Sequence, residues 1–356
     1  MNSNDTTGFW QGRRVFVTGH TGFKGAWLTL WLSRLGARVT GYALAPPTQP
    51  NLYHQAGIGT EIDSVHGDIR DLSALKAALG NAQPSIVFHL AAVSTVAEGY
   101  RDPLGTLATN LTGTANLLDA MRTFDCIEAA VVVTSDKCYL PTRHAETVGE
   151  DSPLGGNDPY SASKACAEIA VRCWREAYFP ASSTTHIASA RAGNVIGGGD
   201  WSAHRLLPDM MRAFANRNPV TLRMPSAVRP WQHVLDVLKG YLLLAERLAG
   251  PEGHLFASAW NFGPGRSSEV TVGEFAQGIA LLWGADARCM AGDNFQKETE
   301  VLRLDSTRAH TVLGWNPKWK LARAQSESVA WYRAYNSGAD MRMFSLEQLE
   351  EFLFGQ

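Results

Sequence analysis

The first half of the chain repeats one pattern: a short, almost wholly apolar run, a turn rich in small residues, then a longer segment with apolar positions every three or four residues. Arg14-Val15-Phe16-Val17-Thr18 is such a run, and it closes on Gly19-His20-Thr21-Gly22-Phe23-Lys24-Gly25. The spacing predicts an amphipathic helix from Ala26 to about Leu35, stopped by Gly36, and a second strand over 37–42. Further strands are predicted near 62–66, 85–90, 129–134 and 185–190, and helices near 72–79, 103–122, 160–178 and 205–215. Strands that alternate with helices call for a parallel sheet covered on both faces and joined by right-handed crossovers. The fold class is therefore α/β, a doubly wound parallel sheet of Rossmann type.

After about residue 190 the alternation thins. Gly197-Gly198-Gly199 opens a loop-rich stretch. Strands near 220–223 and 260–262, with helices near 234–248, 272–283 and 321–335, predict a smaller C-terminal α/β substrate-binding lobe. The expected division is 1–190 for dinucleotide binding and 191–356 mainly for substrate, with a segment near 234–262 returning to the first domain. Pro46–Gln55 reads as a proline-rich loop, and Trp260, Trp283, Trp315, Trp319 and Trp331 read as core.

Composition narrows the function classes. The 356 residues are 45% apolar and 19% charged, as in a soluble globular protein, and the net charge of −2 offers no general attraction to nucleic acid or anionic membrane. Any phosphate site must therefore be local. The five cysteines, Cys126, Cys138, Cys166, Cys173 and Cys289, are odd in number, form no CxxC and match no metal spacing. They read as reduced thiols of a cytoplasmic protein with no metal site. The N-terminal residues lack the apolar stretch of a signal peptide, and apolar runs break well before the roughly 18 residues a bilayer span needs.

Gly19, Gly22 and Gly25, spaced three apart between a strand and a helix, let backbone N–H groups and a helix N-terminus approach a pyrophosphate. Thr21, Phe23 and Lys24 of the same loop join the candidate cofactor set; the plainer reading is a turn whose glycines ease packing. No acid or arginine follows Thr40 where an adenine ribose or its 2′-phosphate would be gripped, which favours NAD over NADP. Asp68-Ile69 is the expected adenine contact, against the plainer reading of Asp68 as a helix N-terminal acid. Leu90-Ala91-Ala92 ends a strand in small residues, where a nicotinamide ribose fits close to the backbone. His89 before them reads as a packed histidine. Thr109, beside an asparagine set within a helix, completes the cofactor candidates.

The chemistry concentrates at two places. Ser135-Asp136-Lys137 follows the apolar run 131–133, at a strand's carboxyl end, where open α/β sheets bind ligands. Tyr160 and Lys164 lie four apart on a predicted helix and so share a face. A lysine charge helps a phenol act as a base. An acid beside a further lysine points beyond proton removal to elimination. The plainer reading of 135–137 is a capped turn with an exposed charge pair. Arg229 suits bidentate phosphate binding, with structural ion pairing as its bland alternative. Asn194 suits a sugar or diphosphate, and Arg205 and His233 complete the substrate candidates.

Together these stretches resemble the extended short-chain dehydrogenase/reductase superfamily, and within it the CDP-glucose 4,6-dehydratase group. The resemblance runs from 9–12 and 15–25 through Thr134-Ser135-Asp136-Lys137-Cys138-Tyr139 and Asp158-Pro159-Tyr160 to Lys164. It continues in 191–201, Arg229-Pro230-Trp231-Gln232-His233-Val234, 260–264 and Leu313-Gly314-Trp315. Lys137 is the specific mark, since dTDP-glucose dehydratases usually carry glutamate there. The chain departs from the pattern at 93–98 and 140–150. The resemblance implies NAD, a nucleotide-sugar substrate and a homodimer or tetramer paired through the helices near 103–122 and 160–178. It also implies roles: Tyr160 as base at the sugar 4-hydroxyl, Ser135 bonding the 4-oxygen, and Lys164 on the nicotinamide ribose. Asp136 would be the acid for the departing 6-hydroxyl, and Lys137, or a water it orients, would assist removal of the C5 proton. A nucleotide-sugar 4-epimerase and a silent NAD-binding protein are the alternatives; Asp136-Lys137 argues against the first and the intact Ser135, Tyr160 and Lys164 against the second.

Overall fold

The computed structural model describes residues 6–141, 147–284, 289–291 and 303–355. Seven strands form one sheet: β1 (Arg14–Thr18), β2 (Arg38–Ala43), β3 (Asp63–His66), β4 (Ile86–His89), β5 (Ala129–Val133), β6 (His186–Ala192) and β7 (Ala259–Phe262). Their spatial order is β7-β6-β5-β4-β1-β2-β3, and every neighbouring pair is parallel. Side-chain alternation explains the apolar runs. Val15 and Val17 of β1 enter an apolar cluster on one face while Phe16 enters a second on the other; Val131 and Val133 of β5 part from Ala130 and Val132 in the same way.

Helices cover both faces. The first cluster receives Trp27 and Leu28 from α1 (Phe23–Arg34), and Leu235 and Leu238 from Val234–Leu248. The second receives Leu75, Leu117 and Val171, the last from α2 (Pro159–Tyr178). The predicted α/β class is what forms. The winding reverses between β1 and β4, so a crevice opens at their carboxyl ends.

The predicted helix over 103–122 is interrupted. Pro103–Leu107 and Gly113–Met121 flank a widened π-type turn, Ala108–Thr112. There the buried Asn110 side chain accepts from Val93 N at 2.8 Å and donates to Val93 O at 3.0 Å and Ser163 Oγ at 2.8 Å. Such bulges recur at functional sites.

Beyond β6, Glu269–Thr271, Val228–His233 and Asn194–Ile196 form a three-stranded sheet, with helices Leu206–Ala215, Val272–Trp283 and Leu321–Asn336 around it. The strand Val228–His233 is absent from the expectation because Pro230 masks it; proline cannot donate to a ladder. The terminal helix Met341–Phe354 also went unread. Trp260, Trp315, Trp319 and Trp331 are buried, as expected of core, while Trp283 is half-buried and packs against the same cluster. Among the described residues no helix is long and apolar enough to cross a membrane, and no cluster of His, Cys, Asp and Glu could hold a metal ion.

Candidate active site

Two adjoining cavities open at the carboxyl ends of the strands. The smaller, of about 240 Å³, lies over β1, β2, β3 and β4, and its lining includes Gly19, Thr21, Gly22, Asp68, Ile69, Leu90, Ala91, Ala92 and Thr109. Around the glycine turn its walls are backbone. Gly19 has φ +75°, and a Cβ there would fall 2.6 Å from Ala91 N; a Cβ on Gly25 would fall 2.1 Å from Gly19 O. The turn therefore closes tighter than side chains permit and leaves the N-terminus of α1 open to a phosphate. Thr18 Oγ1 accepts from Leu90 N at 3.1 Å and Ala91 N at 3.2 Å, and lies 2.7 Å from His89 Nδ1. His89 is thus a strut; burial, aided by the charge of Lys164, pulls its pKa down to about 3.

Three loop residues do not line this cavity. Phe23 packs against Gly197, Gly25 packs against Gly19, and Lys24 lines the neighbouring cleft instead. The first helical turn rotates successive side chains by about 100°, so adjacent loop residues cannot all face one ligand. Asp68 does line the cavity, with its carboxylate 3.0 Å from Arg70 Nε through both oxygens, and this hydrogen bonding lowers its pKa. Arg70 itself lines the cavity. It is paired with the Asp68 carboxylate.

The larger cleft, of about 500 Å³, lies between β5, β6 and the C-terminal lobe. Lys24, Ser135, Asp136, Lys137, Tyr160, Asn194, Arg205 and Arg229 line it. β5 is buried along its length and delivers Ser135 to the cleft. Ser135 Oγ accepts from Lys137 N at 3.2 Å and donates to Asp136 Oδ1 at 3.0 Å. Asp136 Oδ2 is buried and accepts no hydrogen bond from the described residues. Burial raises the Asp136 pKa against the opposing charges of Lys137, Lys24 and Arg229. A carboxyl so placed is suited to hold and deliver a proton.

Asp158 caps α2, accepting from Ser161 N at 2.9 Å, and Pro159 opens the helix. Tyr160 and Lys164 follow on one face. Burial pushes the Tyr160 phenol up to about 12, opposed by a hydrogen bond with Ser135 and the charge of Arg205. Lys164 donates to Val133 O at 3.4 Å, and burial lowers its pKa to about 8. The same effect, with repulsion from Arg205 and Lys164, lowers Lys24 to about 7.

The lobe contributes Asn194, Arg205 and Arg229 to the cleft. Arg205 pairs with Asp200 at 2.9 Å and donates to Ser94 Oγ at 3.0 Å. Ser94 belongs to the departing segment 93–98, and Ser94, Thr95, Val96 and Ala97 line the cleft. Of the other departing segment, 142–146 lie outside the described residues. His233 stands apart from Asn194, Arg205 and Arg229. It is fully buried, accepts from Leu235 N at 3.3 Å as the cap of Val234–Leu248, and packs on Trp319. Burial lowers its pKa to about 3, and it does not line the cleft.

A model of the NAD dependent epimerase/dehydratase family matches residues 15–261. The chain belongs to this family. At the level of whole chains it is 44% identical over 350 residues to a CDP-glucose 4,6-dehydratase of Salmonella typhimurium, covering 97% of each. It is 30% identical to a dTDP-glucose 4,6-dehydratase of Streptomyces griseus, covering 76% of this chain and 77% of that one. Its fold superposes on a Stenotrophomonas maltophila UDP-glucose 4-epimerase structure with bound NAD, with TM-score 0.79, 23% identity and coverage of 92% of this chain and 100% of that one. The resemblance first carried by motifs thus extends over the whole length. NAD is the cofactor of this family member, and the glycine cradle, closed to any Cβ, fits its pyrophosphate.

Proposed function

We propose that this protein is an NAD-dependent CDP-glucose 4,6-dehydratase, converting CDP-D-glucose to CDP-4-dehydro-6-deoxy-D-glucose with loss of water. The observation that carries the reading is Asp136: a buried carboxyl with one unpartnered oxygen, set between Ser135 and Lys137 in the cleft that holds Tyr160. An enzyme that only oxidises or epimerises C4 has no use for that acid. The relative 44% identical over 350 residues supports the same substrate.

The bound cofactor supplies hydride acceptance and return. Tyr160 takes the proton of the sugar 4-hydroxyl, with Ser135 bonding the oxygen that becomes the ketone. The 4-ketone acidifies the C5 hydrogen, and Lys137, or a water it orients, assists its removal. Asp136 protonates the 6-hydroxyl as it departs. Asn194, Arg205 and Arg229 bind the sugar and diphosphate, Arg229 being suited to a bidentate grip. In this reading residues 1–190, with β7 and Val234–Leu248, serve the cofactor and the remainder serves the substrate.

A cytoplasmic homodimer is part of the proposal. Leu104 is 79% exposed, Ile169 58% and Tyr100 59%, and the segments that carry them pack side by side. That surface suits a four-helix pairing with a second copy. The test of function is mass spectrometry after incubation with NAD⁺ and CDP-, dTDP-, UDP- or GDP-sugars. Loss of one water from CDP-glucose is expected; interconversion of 4-epimers without water loss would overturn the reading.

A further inference from the structure

Glu168 lies one helical turn beyond Lys164, on the face of α2 that carries Tyr160, and the reaction outlined above gives it no part. It is only 3% exposed. Three side chains from the neighbouring strand ends converge on its carboxylate. Thr134 donates to Oε1, Ser189 Oγ donates to Oε2 at 2.7 Å, and Arg191 Nη2 pairs with Oε2 at 2.7 Å. Burial alone would push its pKa up, yet Arg191 and these hydrogen bonds hold it below the ordinary value. The carboxylate is therefore charged. Arg191 is fixed in turn, donating to Tyr139 Oη at 2.8 Å and Glu150 O at 2.9 Å.

A buried ion pair of this kind is a weak source of stability, because desolvation cancels most of the attraction. Its position suggests another use. Lys164 reaches a single carbonyl at 3.4 Å, and burial works against its charge. Besides Tyr160 on its own helix face, four titratable groups interact with its charge. Cys138, in the turn after β5, is held neutral because burial raises its pKa well above the ordinary value, and His89 of β4 is neutral through burial. Lys24 of α1 repels it. Glu168 is the fixed anion among them and the main influence sustaining the ammonium.

We propose that Glu168 is a positioning residue, the buried counter-charge that keeps Lys164 an ammonium one turn from Tyr160, with Arg191, Thr134 and Ser189 holding its carboxylate in place. This rests on the roles given to Tyr160 and Lys164 above.

The test is the pH profile of kcat for keto-sugar formation from CDP-glucose with NAD⁺. Activity that needs charged Lys164 falls on the alkaline side. In Glu168→Gln that limb moves to lower pH by about one unit or more, with KM little changed, and Glu168→Asp restores most of the wild-type profile. Since Gln leaves Arg191 buried without its partner, Glu168→Gln/Arg191→Gln removes both charges and is expected to fold and to shift the limb in the same direction by a smaller amount. An unmoved limb in whichever of these folds, or a wild-type profile with no alkaline limb, overturns the proposal. Lys164→Met separates the two levels. If it abolishes turnover while the limb of the Glu168 variants stays put, Glu168 alone is dismissed; if it turns over like wild type, the Tyr160–Lys164 reading falls and this one with it.

Discussion

The cradle and the cleft adjoin each other at the same edge of the sheet, yet they are built from different materials. The cradle is backbone: Gly19, Gly25, Leu90 and Ala91 approach so closely that a Cβ at Gly19 would fall 2.6 Å from Ala91 N. The cleft is side chain: Lys24, Ser135, Asp136, Tyr160, Arg205 and Arg229 arrive from five stretches of the chain. Backbone gives shape and a dipole that any diphosphate can use. Side chains give tuned proton affinities, which the chemistry needs. The same protein therefore keeps recognition of the cofactor rigid and local, and assembles its chemistry from a distance.

That contrast can be broken or sharpened by substitution. The largest effect is expected at Tyr160→Phe, which removes the proton acceptor: kcat should fall by about 10²–10⁴-fold, while NAD affinity measured by calorimetry stays near wild type. Asp136→Asn should lower water loss by at least about 10²-fold yet still form NADH on mixing with CDP-glucose; wild-type water loss there would remove Asp136 from the reaction. Gly19→Ala reverses the pattern. Its Cβ would collide with Ala91 and strain a residue at φ +75°, so NAD Kd should rise about tenfold or more, a cost of about 1.4 kcal/mol.

The smallest effects belong to groups that are scaffold for both regions. His233→Ala should lower stability by about 1–2 kcal/mol through loss of a cap and leave KM alone, as a residue outside the cleft must. Burial holds His20, His89 and His233 at about 4, 3 and 3, against 6.5 unperturbed. Because the folded values are lower, these three histidines bind more protons in the unfolded chain between about pH 4 and 6.5. Their contribution to stability is present above 6.5 and lost on acidification, by up to about 1.4 kcal/mol per pH unit per histidine, while Asp236 and Glu246, raised by burial to about 7, act in the opposite sense. The urea midpoint should therefore fall less from pH 7 to 5 in His233→Ala than in the wild type; an equal fall would contradict this.

The legibility of the two regions follows their construction. The glycine spacing, the apolar runs of β1 and β5 and the Tyr160–Lys164 interval are local patterns, and each maps onto the element it predicts. Lys24 and His233 show where local reading stops. Both sit inside motifs that look functional, but the helical turn at Lys24 sends it to the cleft, and the entry into Val234–Leu248 turns His233 into a buried cap. Glu168 carried no signal of its own, since one acid on an amphipathic helix looks like any other until Arg191 and Ser189 of β6 and Thr134 after β5 close on it.

By itself the sequence determined the parallel α/β sheet, the cofactor turn and the candidates for the reacting groups, because periodicity, glycine freedom and side-chain chemistry are properties of neighbouring residues. Only the tertiary structure decided which charges meet in the cleft and which polar groups are shut away from water. Those depend on strands and loops separated by tens of residues in the chain, and burial, which sets the proton affinities of Asp136, Tyr160 and Lys164, exists only once they have packed.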